Sequence, residues 1–137
     1  MQGADMMLIH EALERHLSQH VTEVGSRVYA EIAPPKTPTP YITYTRVSVQ
    51  YHHQFGKDSG FNTSHFQLDI YAATAKEAQA IAVTMRKCVI DYNGVMGGDG
   101  GVYIGAAELE NEMDGFEKET HFFRVMQEYK ITYTEEV

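Results

Sequence analysis

FQLDIYAATAKEAQAIAVTMRKCV, residues 66–89, contains the change of period that decides the fold class. Phe66, Leu68, Ile70 and Ala72 alternate with Gln67, Asp69 and Tyr71, which is the two-residue period of a half-buried strand. At Thr74 the pattern changes. Thr74-Ala-Lys-Glu77 is a capping box, in which a hydroxyl and a carboxylate satisfy amides that a helix start leaves without partners. Ala78, Ile81, Ala82, Met85, Cys88 and Val89 then recur at three- and four-residue steps as one apolar stripe, and Asn93-Gly94 marks its end. A strand that runs straight into an amphipathic helix needs a sheet with a helix lying on it.

Upstream, Met6, Ile9, Leu13 and Leu17 predict a first helix from about Met6 to Gln19, with Asp5 as its cap and Gly25 as its stop. A short strand is expected over Arg27–Ile32. The proline-rich stretch PPKTPTP, 34–40, interrupts any ladder, because each proline fixes φ and lacks an amide donor. It serves either as a rigid loop or as a stiff approach to a contact surface. Tyr41 to Tyr51 again has period two, with Tyr41 and Tyr44 on opposite faces, so one can support the core while the other meets a partner.

The polar stretch at 52–64, with Phe55 and Phe61, predicts a long hairpin loop or a flexible arm. Downstream, a glycine-rich link at 94–101 leads to a strand over Val102–Glu110. A turn in EMDGFEKE, 112–119, leads to a last strand from His121 to Tyr133. Residues 1–137 thus read as a single α+β domain: a mostly antiparallel sheet of about five strands, two helices packed on one face, order α-β-β-β-α-β-β.

Composition narrows the function. The 137 residues carry 19 acidic and 11 basic side chains, net charge −8, which argues against gripping nucleic acid through its phosphates. No apolar run approaches the roughly 20 residues of a membrane span, the N-terminus lacks a signal peptide's basic start and apolar core, and a cytosolic protein is the default. Cys88 is alone, so neither an intrachain disulfide nor a cysteine-based zinc site is expected, and its helical spacing places it in the core.

Candidate chemistry is sparse. His16 and His20 stand four apart, yet no HExxH or clustered Cys/His pattern supports a metal. GVMGGDGG lacks the GK[ST] ending of a phosphate loop and follows a helix rather than a strand. Glu108, Glu110, Glu112 and Asp114 alternate with Leu109, Asn111 and Met113 as an acidic row, the pattern of a solvated sheet edge that discourages strand pairing. No catalytic, cofactor or metal residue is assigned.

The whole pattern is more informative than any motif. A first helix with Leu13 and Leu17 precedes RVYAEIAPP (27–35) and PYITYTRVS (40–48). The segments FQLDIYAAT (66–74), KEAQAIAVTMRKCV (76–89) and FFRVMQEYKITYTE (122–135) follow. Over nearly its full length the chain resembles the tail-completion, or tail-terminator, family of long-tailed bacteriophages. That resemblance implies a non-enzymatic ring component, hexameric in such families, which caps the tail tube, halts its polymerisation and meets a head connector or stopper protein. It implies assembly in the host cytoplasm followed by residence in the virion tail, with no membrane partner and with DNA passing nearby without specific binding. Tyr41, Tyr44, Phe55, Phe61, Glu108, Glu110, Glu112 and Asp114 are the candidate partner-interface residues. The rival reading is a small α+β ligand-binding protein or enzyme, possibly dimeric, with His65, His121 and Tyr71 lining a pocket.

Overall fold

A computed structural model describes residues 7–54 and 57–135, with the side chains of 53–59 outside the description. The elements in chain order are α1 (Ile9–His20), β1 (Val28–Ala30), β2 (Tyr41–Gln54), β3 (Lys57–Ala72), α2 (Ala75–Val89), β4 (Gly94–Met96), β5 (Val102–Glu117) and β6 (Phe122–Thr134). One six-stranded sheet has the order β1-β2-β3-β6-β5-β4, antiparallel except for the short β1–β2 pair. The expected α+β class holds, and the order gains a sixth strand: α-β-β-β-α-β-β-β.

The inward faces of the central strands carry Ile42, Tyr44, Phe66, Leu68, Ile70, Tyr129, Ile131 and Tyr133, all buried. Both helices lie on that face. Phe66 meets His10 of α1 edge to face, and Gln127 donates from β6 to the carbonyl of Ala82 in α2. A leucine-sized side chain buried here contributes about 1.5–3 kcal/mol, so this one interior dominates stability. The capping box of α2 forms as its sequence dictates: Thr74 Oγ1 accepts from Glu77 N at 3.1 Å, and Glu77 Oε1 accepts from Ala73 N at 3.3 Å.

Four local expectations are corrected. Helix α1 begins at Ile9, with Leu8 at the cap position and no side-chain cap from it; the Ile9 amide donates instead to Glu135 Oε2, 2.7 Å away. Asp5 and Met6 lie outside the described residues. The glycine-rich link contains β4, whose Met96 is fully buried. Two of its glycines are required by close approach: a Cβ on Gly97 would sit 2.6 Å from Met7 Sδ and 3.0 Å from Ala12 Cα, and one on Gly101 would collide with the Met96 carbonyl. The strands flanking the polar stretch at 52–64 extend into it, with β2 reaching Gln54 and β3 starting at Lys57. Strand β5 runs through EMDGFE to Glu117, and the turn falls at Lys118–His121.

Between β1 and β2 the prolines shape a compact connection. Thr37 turns back on Pro34, with both N and Oγ1 donating to its carbonyl at 3.2 and 2.6 Å. Arg27 Nε donates to the Pro40 carbonyl at 2.9 Å, which ties the connection to the start of β2.

Candidate interaction surfaces

The sheet face opposite the helices is the first candidate surface. Tyr41 and Tyr71, paired across β2 and β3, stack with centroids 4.8 Å apart, and Tyr29 and Phe122 meet Tyr41 edge-on. Arg124 lies 5.8 Å above the Tyr71 ring and donates twice to Asp69 Oδ1, at 3.1 and 3.0 Å. Burial pushes the Tyr41 and Tyr71 hydroxyls above their ordinary pKa, so both rings stay neutral. Tyr41 is thus half-buried within an aromatic patch. Tyr44 faces the helices, 4 % exposed, and donates to Glu14 Oε1 at 2.8 Å. Its contribution is to the interior. Phe61 is 42 % exposed and lies above Gly105, and Phe55 lies outside the described residues.

The acidic row does not exist as one row. Register shifts at Ile104/Ala106 and Leu109/Asn111 insert bulges into β5, and each bulge reverses which side of the sheet later residues face. Glu108 pairs with Lys130 on the helix-free face. Glu110, at the second bulge, meets His65 Nδ1 at 3.2 Å. Glu112 turns to the helix side, where Oε1 accepts from Arg86 Nη1 at 2.9 Å and Gln127 Nε2 at 2.8 Å. Gln127 is fully buried, and its Oε1 accepts from Tyr129 OH at 2.7 Å. Asp114 shares Glu112's side and is exposed. The Arg86–Glu112–Gln127–Tyr129 network was invisible to sequence reasoning, since only the second bulge aims Glu112 inward.

The residues of the rival pocket do not converge. His65 and Tyr71 lie six positions apart on β3, roughly 20 Å along an extended strand. His121 sits in the β5–β6 turn against Phe116. Three grooves on the described surface, beside His65, Arg124 and Tyr71, hold 150–180 Å³ each, against the roughly 300–1,000 Å³ of a ligand site. His16 and His20 are engaged with the backbone: His16 Nε2 donates to the Cys88 carbonyl at 2.7 Å, and His20 Nδ1 to the His16 carbonyl at 2.9 Å. Burial raises the Cys88 thiol to about 11. Among the described residues no group of three or more His, Cys, Asp or Glu is placed to hold a metal, and no helix is long and apolar enough to cross a membrane.

Among the described residues the chain offers a helix-backed sheet with broad faces and open edges. The chain belongs to the tail completion protein gp17 family, whose model matches residues 11–134. It is therefore a non-enzymatic structural protein of the phage tail-completion class. Among solved structures it is similar to a chain from the virion of a native gene transfer agent (GTA) particle. That match has TM-score 0.67 and 14 % identity, and covers 93 % of this chain and 98 % of the other. A second solved chain, whose name carries no function, matches with TM-score 0.58 and 16 % identity over 94 % of each. No curated protein sequence matches.

Proposed function

We propose that copies of this chain assemble in the host cytoplasm into a ring, six in number, that seats on the end of the tail tube. The ring stops the tube's polymerisation and presents its far face to a head connector or stopper protein. Membership of the tail completion family carries this reading. A ring requires heterologous contacts, one patch of each copy meeting a different patch of the next. The Tyr41 aromatic patch, Phe61, Glu108, Glu110 and Asp114 are the proposed contacts with neighbouring virion proteins, while Tyr44 and Glu112 act through the fold.

The helix-free face would line the channel. It carries Asp69, Glu108, Glu117 and Glu128 against Arg124 and Lys130, with Glu110 reaching it at the bulge. An acidic wall repels phosphate and lets DNA pass without adhering. Light scattering on the protein alone and mixed with tail tubes tests the assignment. The expected result is a ring mass on tube ends, with tubes of uncontrolled length when the protein is absent. A chain that stays monomeric and never binds tubes would overturn it.

A further inference from the structure

At the end of the sheet where the β1–β2 connection begins, the helix-free face carries a groove of about 160 Å³. Tyr41, Thr43 and Tyr71 line it from β2 and β3, Glu117 from the end of β5, and Glu31 with Ile32 from the chain leaving β1. Its walls are held in place. The Glu31 amide donates to the Tyr44 carbonyl at 2.8 Å and the Ile32 amide to the Ala30 carbonyl at 2.7 Å, which ties this stretch to β2. Glu117 pairs with Phe122, whose ring meets Tyr41 edge-on, and Glu117 Oε1 accepts from Thr120 Oγ1 at 3.2 Å. A groove of this size takes one side chain rather than a metabolite.

Its polar groups specify that side chain. Thr43 is 4 % exposed, yet its hydroxyl bonds to no described residue, and neither do the hydroxyls of Tyr41 and Tyr71. A buried polar group left without a partner is costly unless a group from outside completes it. Glu31 and Glu117 are ionised and only accept, and no cation lines the groove. Arg124, beside Tyr71, is committed to Asp69. The complement is a cation with several donors. A guanidinium brings five N–H groups in a rigid fork, is weakly hydrated and packs well on aromatic rings, whereas an ammonium is a strongly hydrated point charge.

This chain holds no guanidinium in reserve. Its five arginines all have acceptors of their own: Arg15 in Glu11, Arg27 in the carbonyls of Glu23 and Pro40, Arg46 in Tyr133, Arg86 in Glu112 and Arg124 in Asp69. A second copy would have to break one of these contacts to fill the groove. We infer that the groove receives an arginine side chain of a different virion protein, held between Glu31 and Glu117 with the Thr43 hydroxyl as a further acceptor. This deepens the proposed function and rests on it in taking the partner from the virion.

The test uses the full chain with labelled isoleucine and threonine methyl groups, so that Ile32 and Thr43 report on the groove by NMR. Titration with the peptide Ac-Gly-Arg-Gly-NH2 should shift both methyls with Kd on the order of 1 mM. The same peptide with citrulline, which keeps the shape and loses the charge, should bind about tenfold or more weakly. Glu117→Gln should lower the affinity for the arginine peptide about tenfold and Thr43→Val about fivefold, both read at Ile32 in folded protein. Equal shifts from the two peptides, or shifts that miss Ile32 and Thr43, overturn the groove. Sedimentation with tail tubes and with heads then identifies the source: Glu117→Gln should weaken attachment to one of them and leave self-association as in the parent. Weakened self-association instead would put a second copy in the groove and overturn the foreign partner. A chain that binds arginine here but neither tubes nor heads overturns the proposed function and the virion partner, while arginine recognition by the groove stands.

Discussion

Glu112→Ala separates a carboxylate that holds the fold together from those that face neighbours. Glu112 Oε1 and Oε2 accept from Arg86 Nη1 at 2.9 and 3.1 Å, and Oε1 also accepts from Gln127 Nε2 at 2.8 Å. The Arg86 and Glu112 side chains are 33 % and 26 % exposed, so water screens the pair and its loss costs about 1 kcal/mol rather than 3. Gln127 is fully buried and keeps only the Ala82 carbonyl, 3.2 Å away, for its amide; the lost partner costs about 1 kcal/mol more. The sum is about 2 kcal/mol. At about 2.1 cal/mol/K of unfolding entropy per residue, a chain of this length loses about 7 °C in Tm. Glu110→Ala, which removes only an exposed contact to His65, should stay within about 0.5 kcal/mol, or less than about 2 °C. Thermal unfolding followed by circular dichroism, at matched monomeric concentration, reads both. Equal Tm values for Glu112→Ala and the parent chain, or a larger loss in Glu110→Ala, would refute the inward role of Glu112.

Tyr129→Phe should cost about 1–3 kcal/mol by orphaning Gln127 Oε1 in the interior, and a urea midpoint unchanged from the parent would show that the network is not closed. Acid should destabilise the fold through His16. Its folded pKa lies below the ordinary 6.5, mainly through burial, with the charge of His20 adding to the depression and the Cys88 hydrogen bond opposing it. The unfolded chain takes up the proton first, so this contribution is whole above 6.5 and is lost as pH falls through the folded value. His10 shifts the same way, through burial and then Arg46. Melting temperature should hold at neutral pH, decline toward about pH 5, and decline less in His16→Gln; a flat profile in the parent would contradict this. Arg124→Ala leaves the buried Asp69 carboxylate, 6 % exposed, without its cation and with Gln67 Nε2, 3.0 Å away, as its remaining side-chain donor, and should cost about 2–3 kcal/mol in chemical denaturation. Alkylation of Cys88 in the folded protein should run about a hundredfold below that of the unfolded chain, because burial holds the thiol near 11 against an ordinary 9.0; equal rates would place the thiol in water.

Local signals decided much of this protein before any contact was known. Thr74 and Glu77 are three residues apart, so the start of α2 is chemistry between near neighbours, and the stripe Ala78–Ile81–Ala82–Met85 needs only helical spacing. The alternations of 41–51 and 66–72 likewise follow from strand pleating. What tertiary structure alone decided involved partners distant in sequence. The amide at the start of α1 is satisfied by Glu135, 126 positions away. Strand β4 is three residues long and exists because β5 offers it a ladder and Ala12 of α1 packs against Gly97 at its end. The acidic residues 108–114 look like one face in the sequence, where alternation is perfect. The bulge near Glu110 shifts the register by one residue and sends Glu112 to the interior. Side-chain alternation is a property of a strand, whereas the insertion of an unpaired residue is a property of a strand and its neighbour together.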